Sequence, residues 1–211
     1  VSEARGLLKS PGALRRITRF AEDALADVAL GAVEEIAFAG HGGATVKMFV
    51  VHPPEGAGSD GKVARVEGGS AGPAGSSAAG ATTTTAGTIP PLVHLIHGGP
   101  HGAFGDEWHW RWNAQVWAAA GYRVALVNFH GSTGWGDAFT RSILGRWGDQ
   151  PTADVLAATD ALVARGLAEE GRMAIAGGSY GGYLVSWLAA TTADRFACAI
   201  NHAGVCDFQT Q

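Results

Sequence analysis

A serine between glycines is the residue in this sequence whose type and spacing most clearly suggest chemistry. Gly177, Ser179 and Gly181 form a G-x-S-x-G pattern between a predicted strand and a predicted helix. A serine at the tip of such a turn has a strained backbone, and the residues two positions away must be small. The pattern therefore predicts Ser179 as a nucleophile and the two glycines as its turn. An incidental serine in a glycine-rich turn stays an alternative, whereas a phosphate loop is excluded because no Lys-Ser/Thr pair follows.

A second glycine-rich loop could stabilise the charge that such a nucleophile creates. His97-Gly98-Gly99-Pro100 directly follows the predicted strand 92–96. Acyl transfer requires two amide donors directed at one oxyanion, one from the residue after the nucleophile and one from a loop of this kind. We expect these donors to be the backbone N–H groups of Tyr180 and Gly99. An ordinary strand-to-helix turn is the alternative, since Gly-Gly-Pro is typical of turns.

The base that would activate the serine is the missing part. A serine hydroxyl is a weak nucleophile without a base to take its proton. Beyond Ser179 the sequence has one histidine, His202, and the acids Asp194 and Asp207. Asp194 lies beyond the predicted helix, about 15–20 Å away, and His202 with Asp207 behind it would reverse the usual order of the triad. We expect His202 to line the site or to pack there rather than to act as the base.

Hydrophobic periodicity predicts strands that alternate with helices, the pattern of a mostly parallel sheet. A hairpin comes first, with strands at 33–38 and 44–51. The later predicted strands cover 92–96, 123–129, 172–176 and 196–201, and the predicted helices cover 17–28 (with Gly31 as its stop), 107–120, 137–144, 152–165 and 180–190. The fold class is therefore α/β, with an N-terminal antiparallel hairpin.

Composition limits the classes of partner. The net charge of -4 argues against nucleic acid or an anionic membrane as partner, and no apolar run is long enough to span a bilayer. No histidine spacing indicates a metal, and no cofactor is expected. Cys198 and Cys206 are too few for a disulfide framework, so we expect them reduced and buried. We expect Trp108, Trp110, Trp112 and Trp117 to pack along a helix face.

Four motifs in order carry a resemblance to a known family. They are His97-Gly98-Gly99-Pro100-His101-Gly102, Asn128-Phe129-His130-Gly131-Ser132-Thr133-Gly134-Trp135-Gly136, Trp147-Gly148-Asp149 and Gly177-Gly178-Ser179-Tyr180-Gly181-Gly182-Tyr183. Together they resemble the prolyl oligopeptidase family of serine peptidases, and most closely its acylaminoacyl-peptidase and dipeptidyl-peptidase branch. The resemblance is close over residues 91–208 and looser over the hairpin.

The resemblance implies an α/β-hydrolase catalytic domain that cleaves short peptides through a Ser179 acyl-enzyme. It also implies that this domain is incomplete at its C-terminus, with the catalytic acid and base of the family outside these 211 residues. By position, Ser179 matches the nucleophile, Gly99 and Tyr180 match the oxyanion hole, and His97 matches a histidine that shapes the oxyanion loop. Residues 1–30 then correspond to the exit from a preceding β-propeller, and residues 31–211 to the catalytic domain. The Gly-, Ala-, Ser- and Thr-rich stretch 55–89 departs from the family pattern, and we expect it to be a disordered insertion.

Three functions stay open from the sequence alone. A serine peptidase is favoured, a carboxylesterase or lipase of the same fold is the second, and a non-catalytic hydrolase-like binding or structural protein is the third. We expect the 211 residues alone to show almost no turnover, because missing triad members cost several powers of ten in rate. We expect a cytoplasmic protein, although the start at Val1 leaves a signal peptide in the full-length protein open. An oligomer of the full-length protein stays open as well.

Overall fold

A six-stranded mixed sheet forms the centre of the molecule. The structure, a computed structural model, describes residues 22–57, 88–207 and 209. The strand order is β1-β2-β4-β3-β5-β6, where β1 is Val33–Ala39, β2 is Thr45–Val51, β3 is Leu92–Ile96, β4 is Arg123–Asn128, β5 is Met173–Gly178 and β6 is Cys198–His202. The predicted α/β class with a mostly parallel sheet is confirmed.

The first two strands form the predicted antiparallel hairpin. Val33 pairs with Val51 at one end and Ala39 with Thr45 at the other, and a short 3-10 turn at His41–Gly43 connects the strands. β2 also pairs antiparallel with β4, whereas β4, β3, β5 and β6 are parallel neighbours. β2 is thus the one strand of the described sheet that runs against the others, and the carboxyl ends of β3 and β5 meet at one edge.

Helices cover both faces of the sheet. They are α1 (Glu22–Leu25), α2 (Ala114–Ala119), α3 (Asp137–Arg141), α4 (Asp149–Ala164) and α5 (Tyr180–Thr191). All five residues of β3 are buried, and its side chains alternate between two cores. Leu92 and Ile96 join the larger core with α4 and α5, and Val93 and Leu95 join the smaller core with α2. No helix in the described ranges is long and apolar enough to cross a membrane.

The prediction of a helix over 107–120 is wrong in its first half. α2 begins at Ala114, and Asn113 caps it by accepting a hydrogen bond from the N–H of Gln115 at 2.9 Å. Residues before Asn113 form a loop, so the tryptophans do not share one helix face as expected. Trp110 is 87% exposed, whereas Trp117 packs against the smaller core. The other predicted helices and strands in the described ranges match to within a few residues.

Two smaller expectations are also wrong. Cys198 and Cys206 are free, as expected, but exposed rather than buried. Cys198 lies in β6, an edge strand whose five residues are all exposed, and Cys206 lies in the segment after that strand. Gly31 does not stop a helix, since α1 ends at Leu25. Its N–H donates to Gln115 Oε1 at 2.7 Å, and a Cβ there would lie 1.9 Å from the carbonyl oxygen of His52. The predicted helix 17–28, the segment 1–30 and the insertion 55–89 lie partly or mostly outside the described residues.

A buried carboxylate joins the hairpin, a strand end and a helix. Asp154 lies inside α4 and is fully buried. Its carboxylate accepts hydrogen bonds from the N–H of His41 at 2.7 Å and of His130 at 2.6 Å, and it also contacts His130 Nδ1 at 2.6 Å. A buried charge is tolerated when donors surround it in this way. Asp154 therefore fixes how the 3-10 turn and the segment after β4 sit on α4.

We expect Asp154→Ala to lower the free energy of unfolding by about 3 kcal/mol, because it leaves buried donors without an acceptor. The measurement is thermal unfolding of the full-length protein by calorimetry. Asp160→Ala serves as the control on the same helix, since Asp160 is exposed and paired with Arg195, and we expect it to cost less than about 1 kcal/mol. Equal effects of the two substitutions on the free energy of unfolding would contradict the role of Asp154 in fixing these segments on α4.

A buried histidine in the middle of β3 makes stability depend on pH. His94 is fully buried, and its Nε2 lies 3.0 Å from Thr159 Oγ1. Thr159 donates its own hydroxyl proton to the carbonyl of Val155, so the His94 ring donates through Nε2. Nδ1 has no partner among the described residues. Burial, with a smaller effect from the charge of Arg195, lowers the pKa of His94 from 6.5 to about 4.

Stability should therefore be lost as the pH falls from 6.5 towards 4, where the unfolded chain binds a proton that folded His94 does not. Above pH 6.5 the ring is neutral in both states and the full stability is present. We expect His94→Leu to lose less stability than the wild type between pH 7 and pH 5, measured by urea unfolding at both values. An identical loss in the two proteins would show that His94 does not contribute.

Candidate active site

Ser179 occupies a sharp turn between β5 and α5. Its backbone has φ 58° and ψ -123°, a conformation that non-glycine residues rarely adopt. Close contacts explain the two glycines of the motif. A Cβ on Gly177 would lie 2.5 Å from the backbone of Gly181, and a Cβ on Gly181 would lie 2.2 Å from the carbonyl oxygen of Ile96. The turn closes because neither residue has a side chain, as the sequence pattern predicts.

Backbone hydrogen bonds hold the serine on both sides. The N–H of Ser179 donates to the carbonyl of His202 at 3.1 Å, and the carbonyl of Ser179 accepts from the N–H of Tyr183 at 3.0 Å. The parallel register that pairs Gly178 with His202 places β6 beside the turn. The side chain of Ser179 remains exposed. Tertiary pairing therefore maintains a backbone conformation that would be unfavourable in isolation.

The loop after β3 runs directly beside the serine. A Cβ on Gly98 would lie 3.5 Å from the Cβ of Ser179 and 4.0 Å from its Oγ. Gly99 has φ 128°, and a Cβ there would lie 2.5 Å from the backbone nitrogen of His101. Only glycine fits at that position. The structure thus brings the two predicted glycine-rich motifs together at the carboxyl ends of β3 and β5.

His97 is buried beneath this loop and acts as part of its support. Its Nδ1 lies 2.9 Å from the carbonyl oxygen of Gly98, which only accepts, so Nδ1 carries the proton. Nε2 lies 2.9 Å from Ser132 Oγ and accepts its hydroxyl proton. The ring stacks on Phe129 at 4.2 Å between centroids. Burial lowers the pKa of His97 to about 4, although the Gly98 hydrogen bond opposes this effect, so the ring is neutral near pH 7.

Three further contacts attach the loop to the segment after β4. His101 Nδ1 lies 3.0 Å from the carbonyl oxygen of Gly131, and the N–H of Thr133 donates to the carbonyl of Gly102 at 3.0 Å. The buried amide of Asn128 accepts from the N–H of Phe104 at 2.8 Å and donates to its carbonyl at 3.0 Å. The Asn128–Ser132 segment therefore braces the loop that contains Gly99.

The side chain of Tyr180 points into the protein rather than towards the serine. Its hydroxyl donates to the carbonyl of Trp147 at 2.7 Å, and the ring is buried against Phe129 and Trp147. Burial, together with the charge of Asp154 and the neighbouring Tyr183, raises the pKa of this phenol well above its usual range. The backbone N–H of Tyr180 lies at the first position of α5, where helix N–H groups lack partners within the helix.

A cavity of about 700 Å³ opens beside Ser179. Its lining includes Ser179, His97, Gly98 and His202, together with the loop 102–113 and apolar residues of β2 and β3. Trp112 forms one wall, because its ring lies against Gly178 and meets the His202 ring edge-on at 5.7 Å. The cavity connects the serine with Asp106, Glu107 and Arg111 of the same loop. It has the size of a ligand site.

The candidate residues beyond Ser179 lie in different parts of the structure. His202 lines the cavity as expected, but its carbonyl contacts Ser179, and in the described ranges no hydrogen bond joins Ser179 Oγ to an imidazole. Asp194 lies in a 3-10 turn beyond the far end of α5. The sequence did not predict that Trp112 forms a wall of the cavity, or that the Asn128 amide binds the backbone of Phe104. For Trp112 the one local signal is the asparagine that follows it, because Asn113 caps α2 and so places Trp112 before the helix. No group of three or more metal-binding side chains occurs among the described residues.

Comparison with curated proteins places the chain among peptidases. Residues 108–211 match the model of the prolyl oligopeptidase family. The dipeptidyl-peptidase 5 of Porphyromonas endodontalis is 37% identical over 121 residues, which is 57% of this chain and 18% of the relative. The dipeptidyl-peptidase 5 of Schizosaccharomyces pombe is 38% identical over 117 residues, or 54% of this chain and 17% of the relative. The matched part thus spans less than one fifth of each relative.

Solved structures show the same fold. An acylaminoacyl peptidase in complex with Z-Gly-Gly-Phe-chloromethyl ketone superposes with a TM-score of 0.71 at 22% identity, covering 93% of this chain and 27% of that one. A puromycin-hydrolysing peptidase of Mycobacterium tuberculosis gives a TM-score of 0.62 at 27% identity, covering 93% and 25%. The resemblance predicted from the motifs is confirmed: over residues 108–211 this chain is similar to the prolyl oligopeptidase family of serine peptidases, and its fold is that of an acylaminoacyl peptidase.

Proposed function

We propose that this chain supplies the nucleophile and the oxyanion-binding groups of a serine peptidase that cleaves short peptides through an acyl-enzyme at Ser179. The observation that carries the proposal is the close approach of the two glycine-rich motifs, where a Cβ on Gly98 would lie 3.5 Å from the Cβ of Ser179 and 4.0 Å from its Oγ. A glycine-rich turn with an incidental serine would not require a second glycine loop beside it. The similarity to proteins that are named as peptidases adds support.

The proposed reaction begins with attack of Ser179 Oγ on the carbonyl carbon of the substrate. The serine proton passes to a base, the carbonyl oxygen becomes an oxyanion, and the C–N bond breaks as the amine takes the proton. Water then hydrolyses the acyl-enzyme ester. The base takes a proton from the water, which attacks the ester carbonyl, and Ser179 Oγ leaves and recovers the proton. The base is a histidine with its acid partner, both supplied from outside the described residues.

The oxyanion is held by the N–H groups of Gly99 and Tyr180. Among the turns, loops and caps of the described residues, neither the Gly99 N–H nor the Tyr180 N–H donates a hydrogen bond to a backbone carbonyl. The first lies on the braced loop after β3, and the second begins α5, whose dipole also favours a negative charge there. Donors that are fixed before the reaction stabilise the transition state without reorganisation, and losing one typically costs about 100- to 1,000-fold in rate.

The substrate class follows from the relatives and from the cavity. The relatives are named dipeptidyl-peptidases, acylaminoacyl peptidase and puromycin-hydrolysing peptidase, so aminoacyl, acylaminoacyl or dipeptidyl groups are the proposed acyl part. A cavity of about 700 Å³ beside Ser179 has room for a few residues of substrate. Its mixed wall of Trp112, Asp106 and Arg111 offers both apolar and charged contacts.

We expect Ser179→Ala to abolish covalent labelling of the full-length protein by a fluorophosphonate probe, because the probe reacts only with an activated serine. In-gel fluorescence measures the label. Ser142→Ala is the control, since the Ser142 hydroxyl only donates to the neighbouring carbonyl of Phe139, and it should label like the wild type. Labelling that survives in Ser179→Ala would overturn the assignment of the nucleophile.

Paired reporters separate the peptidase from the esterase of the same fold. The full-length protein would be assayed with an aminoacyl or dipeptidyl anilide and with a short-chain nitrophenyl ester. A peptidase hydrolyses the anilide at a rate that Ser179→Ala removes, whereas an esterase hydrolyses only the ester. Absence of both activities together with absence of labelling would favour the non-catalytic alternative.

The buried brace under the oxyanion loop generates a second kinetic prediction. Ser132→Ala removes the hydroxyl that donates to His97 Nε2 and leaves a buried acceptor unpaired. A small displacement of the loop should then lower kcat about 10-fold, with a smaller change in KM, since small misplacements in a site are costly. Thr133→Ala is the adjacent control, because only its backbone contacts the loop. Equal kcat values for the two variants would contradict the brace.

A further inference from the structure

His109 holds the loop before α2 in a way that requires its ring to be unprotonated at one nitrogen. The N–H of Trp112 donates to His109 Nδ1 at 2.9 Å, and the N–H of Arg111 lies 3.2 Å from the same atom. A nitrogen that accepts from backbone N–H groups carries no proton of its own. The ring therefore caps residues two and three positions ahead, as Asn, Asp and Ser side chains commonly do.

The capped residue is the one that lies over the nucleophile turn. The Trp112 ring sits so close to Gly178 that a Cβ there would be 2.5 Å from Trp112 Cζ2. It also meets the ring of His202 edge-on, and Trp112, Gly178, Ser179 and His202 line one cavity. Trp112 has no helix to fix it, because α2 begins only at Ala114. Its position depends on the turn that His109 closes.

We propose that His109 is a positioning residue: its neutral ring, through Trp112, sets the aromatic wall of the substrate cavity beside Ser179. The kinetic part of this proposal rests on the proposed function, whereas the structural part does not. Protonation of Nδ1 removes its lone pair and with it both hydrogen bonds. The wall is then in place when His109 is neutral and is released when His109 is charged.

The charged and titratable groups around the same cavity must be separated from His109. They are Asp106, Glu107 and Arg111 on the loop, His97 after β3 and His202 at the end of β6. His109→Asn makes this separation, because an asparagine oxygen can accept from the same N–H groups and does not titrate. Asn113 already caps the next turn in this way. All the other groups stay unchanged in that variant.

The test uses the full-length protein labelled with 5-fluorotryptophan and observed by fluorine NMR. Trp112→Phe identifies the resonance of Trp112, and the resonance of Trp117 in α2 serves as the internal control. We expect His109→Ala to shift or broaden the Trp112 resonance and His109→Asn to preserve it. At a pH low enough to charge His109, the wild-type resonance should move towards its position in His109→Ala. The resonance of His109→Asn should lack that movement and keep only the response that His202 and the other groups around the cavity cause.

Kinetics with a peptide anilide supply the second readout. His109→Ala should lower kcat/KM about 10-fold, mainly through KM, because a displaced wall weakens substrate binding more than chemistry. His109→Asn should remain within about twofold of the wild type, since the acceptor is retained. Rescue by this variant separates positioning from general damage to the fold.

Two results would overturn the proposal. One is an unchanged Trp112 resonance in His109→Ala, and the other is an identical pH response of that resonance in the wild type and His109→Asn. The second comparison holds even where His109→Ala does not fold. A protein without peptidase activity would contradict the proposed function, but the NMR result would still decide the role of His109.

Discussion

The close approach of α5 to the end of β3 is the constraint on which the site depends. A Cβ on Gly181 would lie 2.2 Å from the carbonyl oxygen of Ile96, so the first turn of the helix touches the strand end directly. The register that pairs Ile96 with Gly177 fixes the same two strands alongside each other. The residues that follow, Ser179 on one side and Gly98 on the other, have no freedom to separate. The contact between the two glycine-rich motifs is thus a consequence of backbone packing.

Buried polar groups extend this constraint to the loops. The Asn128 amide, the Ser132 hydroxyl and the Asp154 carboxylate all lie on or against the segment after β4, and each satisfies backbone or imidazole groups of another segment. Removing such partners costs more than the hydrogen bond itself, because the remaining group stays buried and unpaired. A hydrophobic core could hold the strands, but it could not orient loops whose functional groups are backbone amides. The polar contacts perform that task.

The sequence predicted the parts of the molecule that local patterns encode. The strand 92–96 is found at those limits. The turn at Ser179 was predicted as well, because glycine spacing and a strand-to-helix context act over a few residues. The stretch 107–113 was misread because Trp110, Ala114 and Trp117 have helical spacing, while the side-chain caps of His109 and Asn113 favour a loop. The burial of Cys198 was wrongly predicted because its exposure depends on the place of β6 at the sheet edge. The walls of the cavity could not be predicted from the sequence either. Trp112 packs against Gly178 although 66 positions separate the two residues, and residue spacing does not encode such a contact.

The strained turn at Ser179 forms without a base beside the serine hydroxyl. The conformation of Ser179 is held by the His202 carbonyl, by the first turn of α5 and by two glycine contacts, all of them backbone interactions. None of these requires the serine hydroxyl or a neighbouring imidazole. The positioning of Ser179 and any activation of its hydroxyl are therefore separate properties of this fold. The first depends on packing among β3, β5, β6 and α5, and the second on the protonation state and placement of groups that only need to reach an already fixed oxygen.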